Sequence, residues 1–129
     1  MNNENDDRLY SEEHAWVRRK DGGICEVGLS GHAIEAFLGI SYFRFTTHVG
    51  EHVSAGDPLA EIESRKAADV LVCPVFGTVQ AIGMEAEKHP SLLEDCDGDM
   101  VLLVIREDEA QPRAAMMTRE QYDKIVEGK

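Results

Sequence analysis

A single lysine, Lys66, stands inside the run Glu61-Ile62-Glu63-Ser64-Arg65-Lys66-Ala67-Ala68-Asp69-Val70-Leu71-Val72. A lysine amine can be acylated, so one held at a fixed, exposed point can tether a group and present it to other proteins. Apolar, partly alternating residues lead in at Leu59, Ala60 and Ile62 and lead out at Val70, Leu71 and Val72. That pattern predicts two strands joined by a tight hairpin tip over the polar residues between them. Lys66 is then offered to solvent on a stiff support, as a carrier of a covalently attached group requires. Most lysines are plain surface residues, so the reading depends on what surrounds this one.

The elements around the tip read mainly as short strands. Ala15–Arg19 and Ile24–Leu29 flank Lys20-Asp21-Gly22-Gly23, where two glycines permit the positive φ of a hairpin turn. Ser30 can cap a short helix carrying Ala33, Ile34, Phe37 and Leu38 on one face and stopped by Gly39. Tyr42–Phe45 resumes a strand, and His48–Val53 is read as another before the breaker-rich Ser54-Ala55-Gly56-Asp57-Pro58. Thr78–Gly83 alternates as a half-buried strand, Pro90–Glu94 reads as a helical turn, and Met100–Ile105 as a buried strand. Arg106–Arg113 reads as a linker to a last helix opened by the capping box Thr118-Arg119-Glu120-Gln121, with Tyr122, Ile125 and Val126 on one apolar face.

At 129 residues the chain suits one domain with its own core. Residues 1–8, polar and acidic at the start, are expected to be a disordered lead, and residues 9–129 one domain. Thirteen Lys and Arg against twenty-five Asp and Glu give a formal net charge of -12, which argues against nucleic acid and anionic membranes as partners. Neither a signal peptide nor a membrane span is legible, and Cys25, Cys73 and Cys96 fit no disulfide framework, so a reducing cytoplasm is expected. No His, Cys or acidic spacing suggests a metal, and no nucleophile elbow, phosphate loop or triad suggests an independent enzyme.

The segments flanking Lys66 are near-similar: Val53–Ile62 leads into the tip and Val70–Val79 leads away with matching turn and strand lengths. The pattern Gly50-x-x-Val53-x-x-Gly56-Asp57-x-Leu59-x-x-Ile62-Glu63-Ser64-x-Lys66-Ala67-Ala68, followed by Pro74-Val75-x-Gly77-x-Val79, resembles the biotinyl/lipoyl attachment fold. More narrowly it resembles the H protein of the glycine cleavage system. Leu9–Val17 is similar to that family's opening segment and Val27–Ala33 to its first helix entrance, so the resemblance runs through nearly the whole chain.

The resemblance implies a mainly β fold, a flattened antiparallel sandwich or barrel-like hybrid with a short internal helix and a C-terminal helix. It implies lipoic acid in amide linkage to Lys66, with Glu63, Ser64 and Ala67 as the context a lipoate ligase or lipoyl transferase recognises. In such a system a glycine decarboxylase loads an aminomethyl group while reducing the lipoyl disulfide. An aminomethyltransferase unloads it, and dihydrolipoyl dehydrogenase reoxidises the dithiol. The carrier supplies reach and catalyses none of these steps. Biotinyl carriers set methionine on both sides of the lysine, whereas Lys66 lies between Arg65 and Ala67, which favours lipoyl.

Some positions depart from the family. Glu13-His14-Ala15-Trp16 stands where it reads Ser-His-Glu-Trp, Val70 replaces an aspartate, and Arg65 a small apolar residue. Ile40 replaces the aspartate after the helix-ending glycine, and Asp97–Leu102 a longer aromatic stretch. Ala15 and Val70 are expected at the cleft where a loaded arm rests, where neither can accept a hydrogen bond from a cationic adduct. Ordinary divergence and an H-like carrier serving another enzyme system both fit, as does an unmodified interaction domain.

Overall fold

The computed structural model describes residues 7–109 and 115–127. Among the described residues ten strands form two antiparallel sheets, accompanied by four short α-helices. Strands β1 (Arg8–Tyr10), β2 (Ala15–Arg19) and β3 (Ile24–Leu29) open the chain, followed by α1 (Gly31–Phe37), β4 (Ile40–Phe45) and β5 (His52–Val53). The tethering hairpin is β6 (Pro58–Ser64) and β7 (Ala68–Val72), followed by β8 (Gly77–Ile82), α2 (Glu85–Lys88), α3 (Leu92–Asp95), β9 (Leu103–Glu107), β10 (Met117–Thr118) and α4 (Arg119–Glu127).

The larger sheet has seven strands in the order β10-β1-β2-β3-β9-β8-β5, and the smaller has three, β4-β6-β7. Neither closes on itself, so the architecture is an open two-sheet sandwich and the barrel-like element of the expectation is absent. Between the sheets lies one apolar core that includes Val17, Val27, Phe43, Leu59, Ile62, Leu71, Val75, Val79 and Ile105. Inward residues alternate along β4 (Ile40, Phe43, Phe45 buried; Tyr42, Arg44 exposed), with one irregularity in its pairing with β6 between Ile40 and Tyr42.

The three-stranded sheet is pinned at one edge. Glu87 Oε2 accepts the Phe45 N–H at 2.7 Å and Glu94 Oε2 accepts the Ile40 N–H at 3.2 Å, so carboxylates from α2 and α3 satisfy donors of β4. At the opposite edge Asp69 Oδ1 accepts the Val70 N–H on β7 at 2.8 Å. The β6–β7 hairpin therefore sits on a sheet whose far edge is fixed, which limits how much its tip can sway.

A second apolar cluster of Tyr10, Trp16 and Tyr122 seats the C-terminal helix. Tyr10 and Tyr122 stack with ring centroids 4.7 Å apart. The expected capping box is formed in both directions: Thr118 N–H donates to Gln121 Oε1 at 2.9 Å and Gln121 N–H to Thr118 Oγ1 at 3.2 Å. Of the expected apolar face, Tyr122 is buried and Val126 half-buried, while Ile125 is 44% exposed.

Several boundaries differ from the sequence reading. Arg8, placed in the lead, is a strand residue 4% exposed, with its guanidinium 4.2 Å over the Trp16 ring and 2.9 Å from Asp99. Residues 1–6, 110–114 and 128–129 lie outside the described residues, and with them positions 110–113 of the expected linker. Arg106 and Glu107, read as linker, belong to β9, whose first strand residue is Leu103 and not Met100. His48–Gly50 is a turn, with Gly50 at φ +92°, and only His52–Val53 is strand. Leu38 turns left-handed at φ +57° and its side chain is 67% exposed, so it ends α1 ahead of Gly39 and leaves the core face.

Candidate functional site

The hairpin tip is closed by one hydroxyl. Ser64 N–H donates to the Ala67 carbonyl at 2.8 Å, and Ser64 Oγ accepts the N–H groups of Lys66 at 3.2 Å and Ala67 at 3.1 Å. A serine can fold over the turn it begins in this way because its oxygen reaches amides two and three residues on. Arg65, Lys66 and Ala67 are all exposed, and Glu63, also exposed, is the penultimate residue of β6. The predicted residues Glu63, Ser64, Lys66 and Ala67 thus share one tip. Below it Ile62 and Leu71 are buried to 1% and 0%, so the solvent-facing turn has an apolar base.

Beside the tip lies a cleft of about 190 Å³. One wall is Ala67, Ala68 and Asp69 from the tip and β7; another is His32, Ala33, Ala36 and Phe37 from α1; His14 completes it. Larger hollows of about 280, 320 and 380 Å³ are lined by none of residues 64–69. The apolar lining suits an aliphatic chain and a sulfur ring, while two imidazoles and one carboxylate supply polar groups to its end. The residues present therefore fit a lipoyl group anchored at Lys66.

His14, His32 and Asp69 are cleft residues that reading the sequence missed. His14 and His32 lie eighteen positions apart, and only the pairing of β2 with β3, which brings Ala15 opposite Leu29, sets their rings 5.5 Å apart. A usable signal existed at His32, two residues past the Ser30 cap. Neither Ala15 nor Val70 lines the cleft as expected: Ala15 is 0% exposed in the core, and Val70 is 40% exposed outside it. The acceptor near the tip is instead Asp69, one position earlier.

Among the described residues no group of three or more His, Cys, Asp or Glu side chains could hold a metal ion. Cys25 and Cys73 are buried and Cys96 is half-buried, and none of the three is in a disulfide among the described residues. No helix among the described residues is long and apolar enough to cross a membrane.

The model of the glycine cleavage H-protein family matches residues 8–129. The chain belongs to this family. A glycine cleavage system H protein of Pseudoalteromonas atlantica is 36% identical over 128 residues that cover 98% of each chain. One from Bifidobacterium longum is 36% identical over 119 residues, 91% of this chain and 83% of the relative. The crystal structure of the H protein from Mycobacterium marinum superposes with a TM-score of 0.83 at 25% identity, covering 95% of this chain and 98% of that one. The H-protein family supplies a lipoyl carrier and not a catalyst, and the open sandwich with its exposed lysine tip is a carrier's architecture.

Proposed function

We propose that Lys66 carries a lipoyl group in amide linkage and that the chain shuttles an aminomethyl group and electrons among the glycine cleavage enzymes. The observation that carries this reading is the Ser64-closed tip, which holds Lys66 exposed directly beside an apolar-walled cleft. When bound, the lipoyl group supplies a disulfide that can take up a one-carbon unit together with two electrons. The chain's own residues do the rest. Ile62 and Leu71 anchor the hairpin, Ser64 fixes the turn, Glu63 and Ala67 flank the lysine for the lipoate ligase or lipoyl transferase, and the cleft shelters the arm between visits.

The partners that follow are glycine decarboxylase, aminomethyltransferase and dihydrolipoyl dehydrogenase. Work in the cytoplasm is part of the proposal, supported by cysteines Cys25, Cys73 and Cys96 that are not joined in disulfides among the described residues. The test is reconstitution: lipoylated chain mixed with the decarboxylase, unlabelled glycine and [14C]bicarbonate should exchange label into the glycine carboxyl group, and unlipoylated chain should not.

One observation favours a second reading, that the arm serves another lipoate-dependent system. The polar lining of the cleft is two imidazoles and Asp69, and neither Ala15 nor Val70 contributes an acceptor. A cationic aminomethyl adduct finds one carboxylate there, where the family pattern supplies more. Label exchange at a rate matching an H protein native to the decarboxylase would eliminate this second reading.

A further inference from the structure

Leu38 is the most exposed large apolar side chain among the described residues, 67% open to solvent, and its backbone is left-handed at φ +57°. Glycine and asparagine take that conformation at a helix end readily, whereas a leucine is strained there by its own Cβ. An apolar side chain in water on a strained backbone returns nothing to the isolated chain. Its place in the fold is specific. Phe37, one residue earlier, lines the arm cleft together with Ala67, and Ile40, two residues later, pairs with Ser64. Leu38 therefore stands at the shoulder of the Lys66 tip.

A second apolar group lies on the same shoulder. Tyr42 pairs with Glu63, and Ser41 donates its hydroxyl proton to the Glu63 carbonyl at 3.3 Å. The Tyr42 side chain is exposed, and its hydroxyl oxygen accepts the Arg44 Nε–H at 2.9 Å. Arg44 also donates from Nη2 to Glu61 Oε1 at 3.0 Å, so the ring is held on the sheet face opposite buried Phe43 and Ile62. A ring fixed before a partner arrives loses little freedom on burial. Exposed carboxylates surround the two groups. Glu35, whose carbonyl accepts the Leu38 N–H at 3.2 Å, lies on one side, and Glu63 and Glu94 lie beside β4, with Arg65 and Lys66 above them at the apex.

A lysine side chain extends only about 6 Å from its Cα, so an enzyme that acylates Lys66 has to touch the immediate neighbours of the tip. Enzymes visited later meet the far longer lipoyl extension and can stop short of them. We propose that Leu38 and Tyr42 are the apolar anchors of a docking face for the enzyme that acylates Lys66, and that this partner brings an apolar socket with a basic rim. The rim answers Glu35, Glu63 and Glu94 on a chain of formal net charge -12. This rests on lipoyl attachment at Lys66.

Steady-state lipoylation of the full chain by a lipoate ligase, with lipoic acid and ATP and followed by intact mass, tests the proposal. Leu38→Asn suits the left-handed backbone and removes the apolar group, and Tyr42→Thr suits a strand and removes the ring. Each should raise KM for the carrier roughly tenfold with kcat unchanged, the usual loss when an interface anchor is truncated. Leu38→Met keeps an apolar side chain and should keep the parent KM. Urea melts should show Leu38→Asn no less stable than the parent, whereas a residue that served only packing would lower stability and leave KM alone. The parent KM should rise with added salt, and rise less in Glu35→Gln. Parent KM in Leu38→Asn or Tyr42→Thr, a tenfold rise in Leu38→Met, or a KM indifferent to salt overturns the docking face. Parental lipoylation combined with slow decarboxylase exchange in Leu38→Asn gives the face to the loading enzyme and also overturns it. A parent chain that gains no lipoyl mass instead overturns attachment, and the docking face with it.

Discussion

Ser64 Oγ accepts the backbone N–H of Lys66 at 3.2 Å, so the residue that opens the tip also fixes the backbone of the lysine it presents. A second bond from Ala67 at 3.1 Å makes the hydroxyl the centre of the turn. The link runs from sequence to function: a serine two residues before the lysine shapes the turn, and the turn sets where the amine points.

Replacing Ser64 with alanine removes the acceptor for both amides at an exposed site, where water can substitute. The expected cost in global stability is small, about 0.5–1 kcal/mol by urea denaturation. The expected loss is kinetic, a lower rate of lipoylation at Lys66 by a lipoate ligase, followed by intact mass. Wild-type lipoylation kinetics in Ser64→Ala would mean that the tip needs no such closure.

Gly77 is where β8 passes too close to β9 for any side chain. A Cβ there would stand 2.2 Å from the Arg106 carbonyl oxygen and 2.8 Å from Ile105 Cγ2. Because the nearest obstacle is backbone in a paired strand, relief requires the ladder to shift. Gly77→Ala should destabilise the chain by about 1–3 kcal/mol in urea melts, with Lys66 still lipoylated in the folded fraction. A change within about 0.5 kcal/mol of wild type would contradict the packing described.

Cys73 gives a pH signature. Burial pushes its thiol up to about 11, and the neutral thiol donates to the Val75 carbonyl at 3.0 Å. The neutral thiol is thus favoured in the folded chain. The resulting stability is fully present below pH 9 and is lost as pH rises through 11, because the unfolded chain releases its proton first. Stability should fall over that window by about 2–3 kcal/mol more in wild type than in Cys73→Ala. Parallel curves for the two proteins would show that the thiol is hydrated.

Local chemistry made much of this molecule legible in the sequence. Ser30 caps α1, Thr118 and Gln121 cap each other, and Gly22 and Gly23 take the positive φ that the first hairpin needs. The Lys66 tip was legible for the same reason, since alternation on both sides and polar residues between them are local features. What could not be read depends on distant neighbours. Four-residue α2 carries a single buried side chain, Ala86, too little for a helical period to show. Arg8 reads as part of a polar lead until Trp16 and Asp99 are seen around it. Asp69 and His14 enter the cleft, and Ala15 and Val70 stay out, through strand register and backbone twist that no spacing rule conveys. The family pattern located the tip correctly and misplaced its polar surroundings by one residue.

The most direct measurement is intact mass after incubation with lipoic acid, ATP and a lipoate ligase. The parent chain should gain one lipoyl group, mapped by peptide fragmentation to Lys66, and Lys66→Arg should gain none while keeping the same circular dichroism. A parent chain that stays unmodified under conditions where a known H protein is fully lipoylated, or a lipoyl group retained in Lys66→Arg, would contradict the assignment of Lys66 as the tether.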